Sequence, residues 1–375
     1  MEKQIISSRQ FTIIVLFYSV GTSILIIPAS IALDVKQDAW IVPIIGTILS
    51  VLLVKLLISL GKRMPTLSFV EMNEKILGKF IGKCVSIGFI VLTLLSASEL
   101  LYFMGNFLQT EVMIETPQVA FSILFSITIL FAAYLGIEVF ARSLEILLPF
   151  FVLIFIIFVL SISPQIDSNN IQPFFEVAAK PLIYNIFYFV GLFSFPLVVL
   201  LMIFPSAVNV YQSAQKGFYI GMIAGGLILS IVIALCILVL GAPNTSLRTF
   251  PSYALAQKIS VGNFVQRIEI IMAFMWWITI FVRAFMYFYA CVKGLGEILK
   301  LKDHRPLILP LGMISIGLSQ IMHPNVIHSA TFNKETWPLY IATFAIVIPL
   351  ILLTVVKLRK MENHDANGSE SSFPK

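Results

Sequence analysis

Charge is scarce in this 375-residue chain, and the scarcity narrows what the protein can be. Charged residues make up 12% and hydrophobic residues 59%, with a mean hydropathy of +0.97. A soluble core of this length cannot bury so much apolar surface, so the chain reads as an integral membrane protein. Cysteine is also sparse. Cys84, Cys236 and Cys291 stand in separate apolar runs with no C-x-x-C pair, which argues for small buried hydrophobes. His323 and His328 have no carboxylate or Cys companion nearby in sequence, so neither a metal site nor a cofactor is expected. There is no H-E-x-x-H, no G-x-x-x-x-G-K-[ST] and no intramembrane His-Ser or paired-Asp arrangement. Enzyme chemistry therefore has little support, and no enzyme is expected. A cleavable signal pattern is missing too, because the first apolar run continues through Pro28 without a small-residue cleavage site.

What the chain does have is long apolar runs. Stretches of about 20 residues, enough to span a bilayer, fall at 10–33, 40–60, 82–108, 117–137, 144–163, 183–204, 217–240, 266–292, 306–323 and 336–357. This predicts an all-α fold of ten transmembrane helices in one domain over 1–358, with a short disordered cytoplasmic tail at 359–375. Seventeen of the 25 Lys and Arg residues fall on the side of the N-terminus and six on the other, with Lys55 and Arg283 inside spans. That asymmetry follows the positive-inside rule and puts both termini in the cytoplasm. The net charge of +6 thus reports topology and membrane lipid, not nucleic acid.

Two loops carry structure of their own. Ser68 and Glu71 have capping-box spacing ahead of Phe69, Met72, Ile76 and Phe80, which predicts a short amphipathic helix after span 2. Pro251-Ser252-Tyr253 opens a similar segment after span 7, ending at Gly262. The spans show a matching pair of anomalies. Val20-Gly21-Thr22-Ser23-Ile24-Leu25-Ile26-Ile27-Pro28 interrupts span 1 with a Gly, two hydroxyls and a Pro, and Val190-Gly191-Leu192-Phe193-Ser194-Phe195-Pro196 interrupts span 6 likewise. Discontinuous helices at positions 1 and 6 and surface helices after 2 and 7 describe an inverted repeat, about 10–163 and 183–323, with helix 10 at 336–357. Such paired breaks point to a binding site at the membrane midplane.

Candidate residues follow from the breaks. Gly21, Thr22 and Ser23 would expose N–H groups and the positive end of a half-helix, both suited to a carboxylate; a helix-packing notch is the other reading. Phe193, Ser194 and Phe195 either line a pocket for a small apolar side chain or sugar, or belong to the core. Glu99 in span 3 and Arg283 in span 8 are intramembrane charges. They fit a structural ion pair, a protonated Glu99 or a ligand-facing, gating pair. The ridge Gly217-x-x-x-Gly221-x-x-x-Gly225 allows close approach of another helix, more naturally within the chain than between subunits.

With its Gly-Thr-Ser, apolar, Pro stretch in span 1, its ten spans, its length and its short tails, the chain over about residues 5–360 resembles the B subunits of spore germinant receptors. These form a branch of the amino acid, polyamine and organocation transporter superfamily. The resemblance implies a LeuT-like 5+5 inverted-repeat fold, location in the inner membrane of the bacterial spore, and nutrient sensing that triggers germination. It also implies as partners an A subunit, a C lipoprotein and a small germinant: an amino acid, sugar or nucleoside. Where relatives often carry an acidic residue after the Phe-x-Phe of helix 6, this chain has Pro196 and Leu197. That loss argues against the alternative, a cation-coupled amino-acid transporter of the same fold.

Overall fold

The computed structural model describes residues 5–259 and 269–359. The expected tail after Arg359, the helix end at Gly262 and the start of the 266–292 span lie outside the described residues. Among those described, the structure is helical apart from one isolated parallel bridge, Ile6 with Val208.

Helix α1 (Ser8–Val20) starts with a capping box, in which the Ser7 hydroxyl accepts from the Gln10 N–H and the Gln10 side chain accepts from the Ser7 N–H. It stops at Gly21, whose φ of 39° only glycine adopts easily, and α2 (Ser23–Val35) resumes after Thr22. The break therefore falls six residues before Pro28, which sits inside α2. Pro28 is tolerated there for a concrete reason. The carbonyl deprived of its N–H partner is that of Ile24, four residues back, and the Ser252 hydroxyl donates to it at 2.8 Å. That serine belongs to α10 (Pro251–Gln257), the second expected surface helix, so it holds a broken helix together instead of capping its own.

Helix α3 (Ile41–Arg63) and the amphipathic α4 (Phe69–Leu77) follow, the latter with the expected Ser68–Glu71 capping box. Next come α5 (Lys79–Phe107), α6 (Gln118–Leu135) and α7 (Ile137–Ile162). Helix α8 (Ala179–Phe193) gives way at Ser194 to a 3₁₀ segment, Phe195–Met202, so the second interruption is a change of helix type and not a full unwinding. Gly191 does not make the break; a Cβ there would lie 2.7 Å from the Pro338 ring, so it serves close packing. Helix α9 (Tyr211–Leu247) bends at Gly241, and α11 (Glu269–Ile298) and α12 (Ile308–Ile321) complete the middle of the bundle. The described residues end with α13 (Val326–Thr331), α14 (Trp337–Ala342) and α15 (Ile348–Leu358), joined by π-helical turns into one long run.

The glycine ridge of α9 lies against α1. A Cβ at Gly217 or Gly225 would come within 2.2 Å of the Thr12 or Ser19 hydroxyl, and one at Gly221 within 2.6 Å of the Thr12 carbonyl. The contact is intramolecular, as the spacing suggests. Eight stretches of the described residues are long and apolar enough to cross a membrane. One of them, Ser8–Arg63, has 56 residues; as a straight helix it would reach about 84 Å, far beyond the roughly 30 Å of hydrocarbon. Large side chains such as Leu52, Phe131, Ile146, Leu160 and Leu309 are exposed on α3, α6, α7 and α12. Lipid tails can solvate such a belt, whereas water would drive it to aggregate.

Candidate functional site

The break in α1–α2 is occupied. Arg283 and Thr279, one turn apart on the same face of α11, both reach it. The Thr279 hydroxyl donates to the Gly21 carbonyl at 2.9 Å. The Arg283 guanidinium donates to the Thr22 hydroxyl at 3.1 Å and the Ser23 hydroxyl at 3.4 Å, and across to the Leu192 carbonyl near the end of α8. The Tyr18 ring lies 5.6 Å from the guanidinium carbon, and the Tyr18 hydroxyl donates to the Pro196 carbonyl at 3.1 Å. Arg283 is only 2% exposed. Gly21 makes room for it, because a Cβ there would sit 2.4 Å from Arg283 Cδ. The two interrupted helices are thus bridged by one side chain from a third.

Thr22, Ser23, Arg283 and Leu192 come together at this point, but Phe193, Ser194 and Phe195 do not join them. Phe193 stacks on Phe189 with ring centres 5.0 Å apart, Phe195 packs edge-on against Phe187, and the Ser194 hydroxyl donates to the Val190 carbonyl of its own helix. All three are buried as packing residues. Helix periodicity alone cannot tell which of several adjacent apolar residues turns inward when the helix type changes midway.

Glu99 and Arg283 share the walls of a small cavity, about 20 Å³, with Thr22, Phe103, Leu192 and Asn333. That is room for about one water molecule. They do not form an ion pair. Glu99 instead accepts from Asn333 Nδ2 at 2.8 Å and lies 3.5 Å from His323 Nε2, while His323 Nδ1 meets His328 Nδ1 at 3.2 Å. The fold gives His323 the carboxylate companion that sequence distance hides. Asn333 lies in the π-helical turn after α13 and His323 in the loop before α13, and it is their contacts with Glu99 of α5 that bring them to this site.

A cavity of about 340 Å³ lies at the end of the bundle formed by residues 246–250 and 326–333. Its walls include Ile26, Ala29 and Ser30 of α2 and Tyr188 of α8, and it shares Phe103 and Asn333 with the small cavity at the break. Helix α5 runs from there to the other end of the molecule, where a cleft of about 900 Å³ is lined by Glu71, Glu138, Lys293, Glu297, His304 and Arg305. In that cleft Lys293 donates to the Met202 carbonyl at 2.7 Å and the Ser68 hydroxyl to Glu297 at 2.5 Å. Burial pushes His304 below the ordinary histidine value; the nearby Lys293 and Arg305 charges act the same way against the pull of Asp303. The size of this cleft does not make it the ligand site. It is lined by charge, whereas the surface of the 340 Å³ cavity is mostly apolar and adjoins the helix breaks.

A family model described as spore germination protein matches residues 5–327. The chain belongs to that family. Over 375 residues it is 29% identical to spore germination protein KB of Bacillus subtilis (strain 168), covering 99% of this chain and 100% of the relative. It is 24% identical to spore germination protein YndE of the same organism, over 95% of this chain and 97% of that one. Among solved structures it resembles Mhp1, a nucleobase-cation-symport-1 family transporter in a closed conformation with bromovinylhydantoin bound (TM-score 0.73, 11% identity, 96% of this chain and 80% of that one). It also resembles MhsT in complex with L-phenylalanine (TM-score 0.69, 13% identity, 95% and 99%). At such identities the likeness is one of fold. This spore germination protein is accordingly a multi-pass, all-helical membrane protein with a LeuT-type transporter fold, and not an enzyme.

Proposed function

We propose that this spore germination protein is the nutrient-sensing B subunit of a germinant receptor, with its ligand site between the α1–α2 break and α8. The reading takes Ser8–Arg63 as two spans and counts Arg305–Ile321 as a short one, which brings the eight candidates to ten. They fall into two inverted halves of five, with both termini on the cytoplasmic side of the spore's inner membrane. The 340 Å³ cavity then opens outward. The observation that carries the reading is the meeting of that cavity with the break across Phe103 and Asn333. A small polar nutrient entering there reaches Thr22, Ser23 and Arg283 once Phe103 and Asn333 part. An amino acid suits the guanidinium best, and sugars and nucleosides suit the hydroxyl and amide groups.

Sensing requires that the nutrient bind one conformation more tightly than another. Moving Asn333 or Arg283 shifts the contacts of α8, α11 and α13 together, and an A subunit and a C lipoprotein would read out that shift. Spores carrying Ala29→Phe, which narrows the cavity without touching the break, are expected to keep normal amounts of the protein. They are expected to lose the drop in optical density on exposure to amino acids, sugars and nucleosides. An unchanged response would remove the cavity from the reading. Proteoliposomes with imposed proton or sodium gradients test the transporter alternative, which the fold of Mhp1 and MhsT keeps in view. Gradient-driven accumulation of an amino acid there would overturn a purely sensory role.

A further inference from the structure

In LeuT-type folds, unwound carbonyls and the C-terminal ends of half-helices coordinate the mobile cation that powers transport. The corresponding ends in this chain are those of α1, at Gly21, and α8, at Phe193. Each carries a partial negative charge from its helix dipole. What sits between them is the Arg283 guanidinium, held by the Leu192 carbonyl and the Thr22 and Ser23 hydroxyls, with Thr279 on the Gly21 carbonyl and the Tyr18 ring alongside. All of its hydrogen-bond partners are neutral oxygens, and among the described residues no carboxylate lies within ion-pair distance of it. A buried guanidinium needs compensation. Here the two helix ends and the aromatic face supply it.

We infer that Arg283 is a tethered cation: it occupies, as part of the chain, the position that a mobile coupling ion takes in transporters of this fold. The closed packing of α1–α2 on α8 and α11 then depends on the chain's own charge and on no ion gradient. Arginine suits this duty better than lysine, since its planar fork reaches the Leu192 carbonyl and the Thr22 hydroxyl at the same time. Gly21 belongs to the same device, because any side chain there takes the space of the Arg283 stem. The inference rests on reading α1–α2 and α8 as the paired broken helices. It does not require a nutrient, so its test uses none.

The test is the thermal midpoint of the full chain in lipid nanodiscs for wild type, Arg283→Lys, Arg283→Met and Arg283→Ala, with guanidinium, sodium or choline chloride at equal low-millimolar concentration. Lysine and methionine have nearly the same length and differ in charge, so the order wild type, Lys, Met is expected. In Arg283→Ala, guanidinium is expected to raise the midpoint saturably by several degrees over choline, with no such rise in wild type. A methionine variant as stable as the lysine variant, or an alanine variant that responds no more to guanidinium than wild type does, would overturn the proposal. Should Arg283→Ala fail to accumulate, the Lys-against-Met comparison decides alone. Failure of the nutrient-binding reading leaves these midpoints untouched.

Discussion

Gly21 and Arg283 should behave as one energetic unit, and a double-mutant cycle can measure it. Placing Ala at residue 21 keeps a backbone at φ 39° and ψ −127°, a sparsely populated region that costs a residue with a Cβ about 1–3 kcal/mol. The new Cβ also falls 2.4 Å from Arg283 Cδ and 2.8 Å from Nη1, so the side chain must leave its site. It then loses its bonds to Thr22, Ser23 and Leu192, each worth about 1.5–3 kcal/mol for a charged donor, part of which water regains. Gly21→Ala is therefore expected to cost about 4–5 kcal/mol in wild type and only about 1–3 kcal/mol when Arg283 is already Ala, a coupling of about 2–3 kcal/mol. Equilibrium unfolding of the four proteins in mixed micelles gives all the corners of the cycle. Additive costs within about 0.5 kcal/mol would show that Gly21 is required by its backbone alone and that the guanidinium does not depend on its space.

Other consequences are cheaper to check. Exchanging the charges of Glu99 and Arg283 should not restore what either single change loses, because their partners are Asn333 and His323 on one side and Thr22, Ser23 and Leu192 on the other; rescue by the swap would contradict this separation. Gly221→Ala should destabilise by about 1–3 kcal/mol by wedging α9 from the α1 backbone. Gly317→Ala, with open space around it, should be neutral or gain up to about 1 kcal/mol in midpoint measurements on the same protein. His304 is held below its unfolded value of about 6.5, so acidification protonates the unfolded chain first. Stability attributable to His304 should fall as pH drops through about 6.5 towards its folded value. His304→Gln should flatten that slope, and an identical loss of thermal midpoint on acidification in both proteins would refute the assignment.

Much of the architecture was legible without coordinates because lipid imposes strict rules on a chain. Apolar runs must be long enough to span, and backbone groups must pair within a segment. Glycine, hydroxyl and proline residues at Gly21–Pro28 and Gly191–Pro196 therefore announced two interruptions, and Ser68 with Glu71 announced α4. Where each interruption falls was another matter. The first falls at Gly21 and Thr22, while Pro28 stays helical because Ser252, more than 200 residues away, satisfies the carbonyl it frees.

The site divided along the same line. Composition and spacing determined that the chain lives in the membrane, that helices 1 and 6 are interrupted, and that Thr22, Ser23, Glu99 and Arg283 are polar groups in an apolar setting. Tertiary structure alone decided their partners. It set Arg283 into the break instead of against Glu99, gave Glu99 to Asn333 and His323, and turned Phe193–Phe195 into core. The reason is physical: a sequence shows which groups need compensation in lipid, but the compensating atoms belong to helices whose rotation and depth are fixed only when the whole bundle packs.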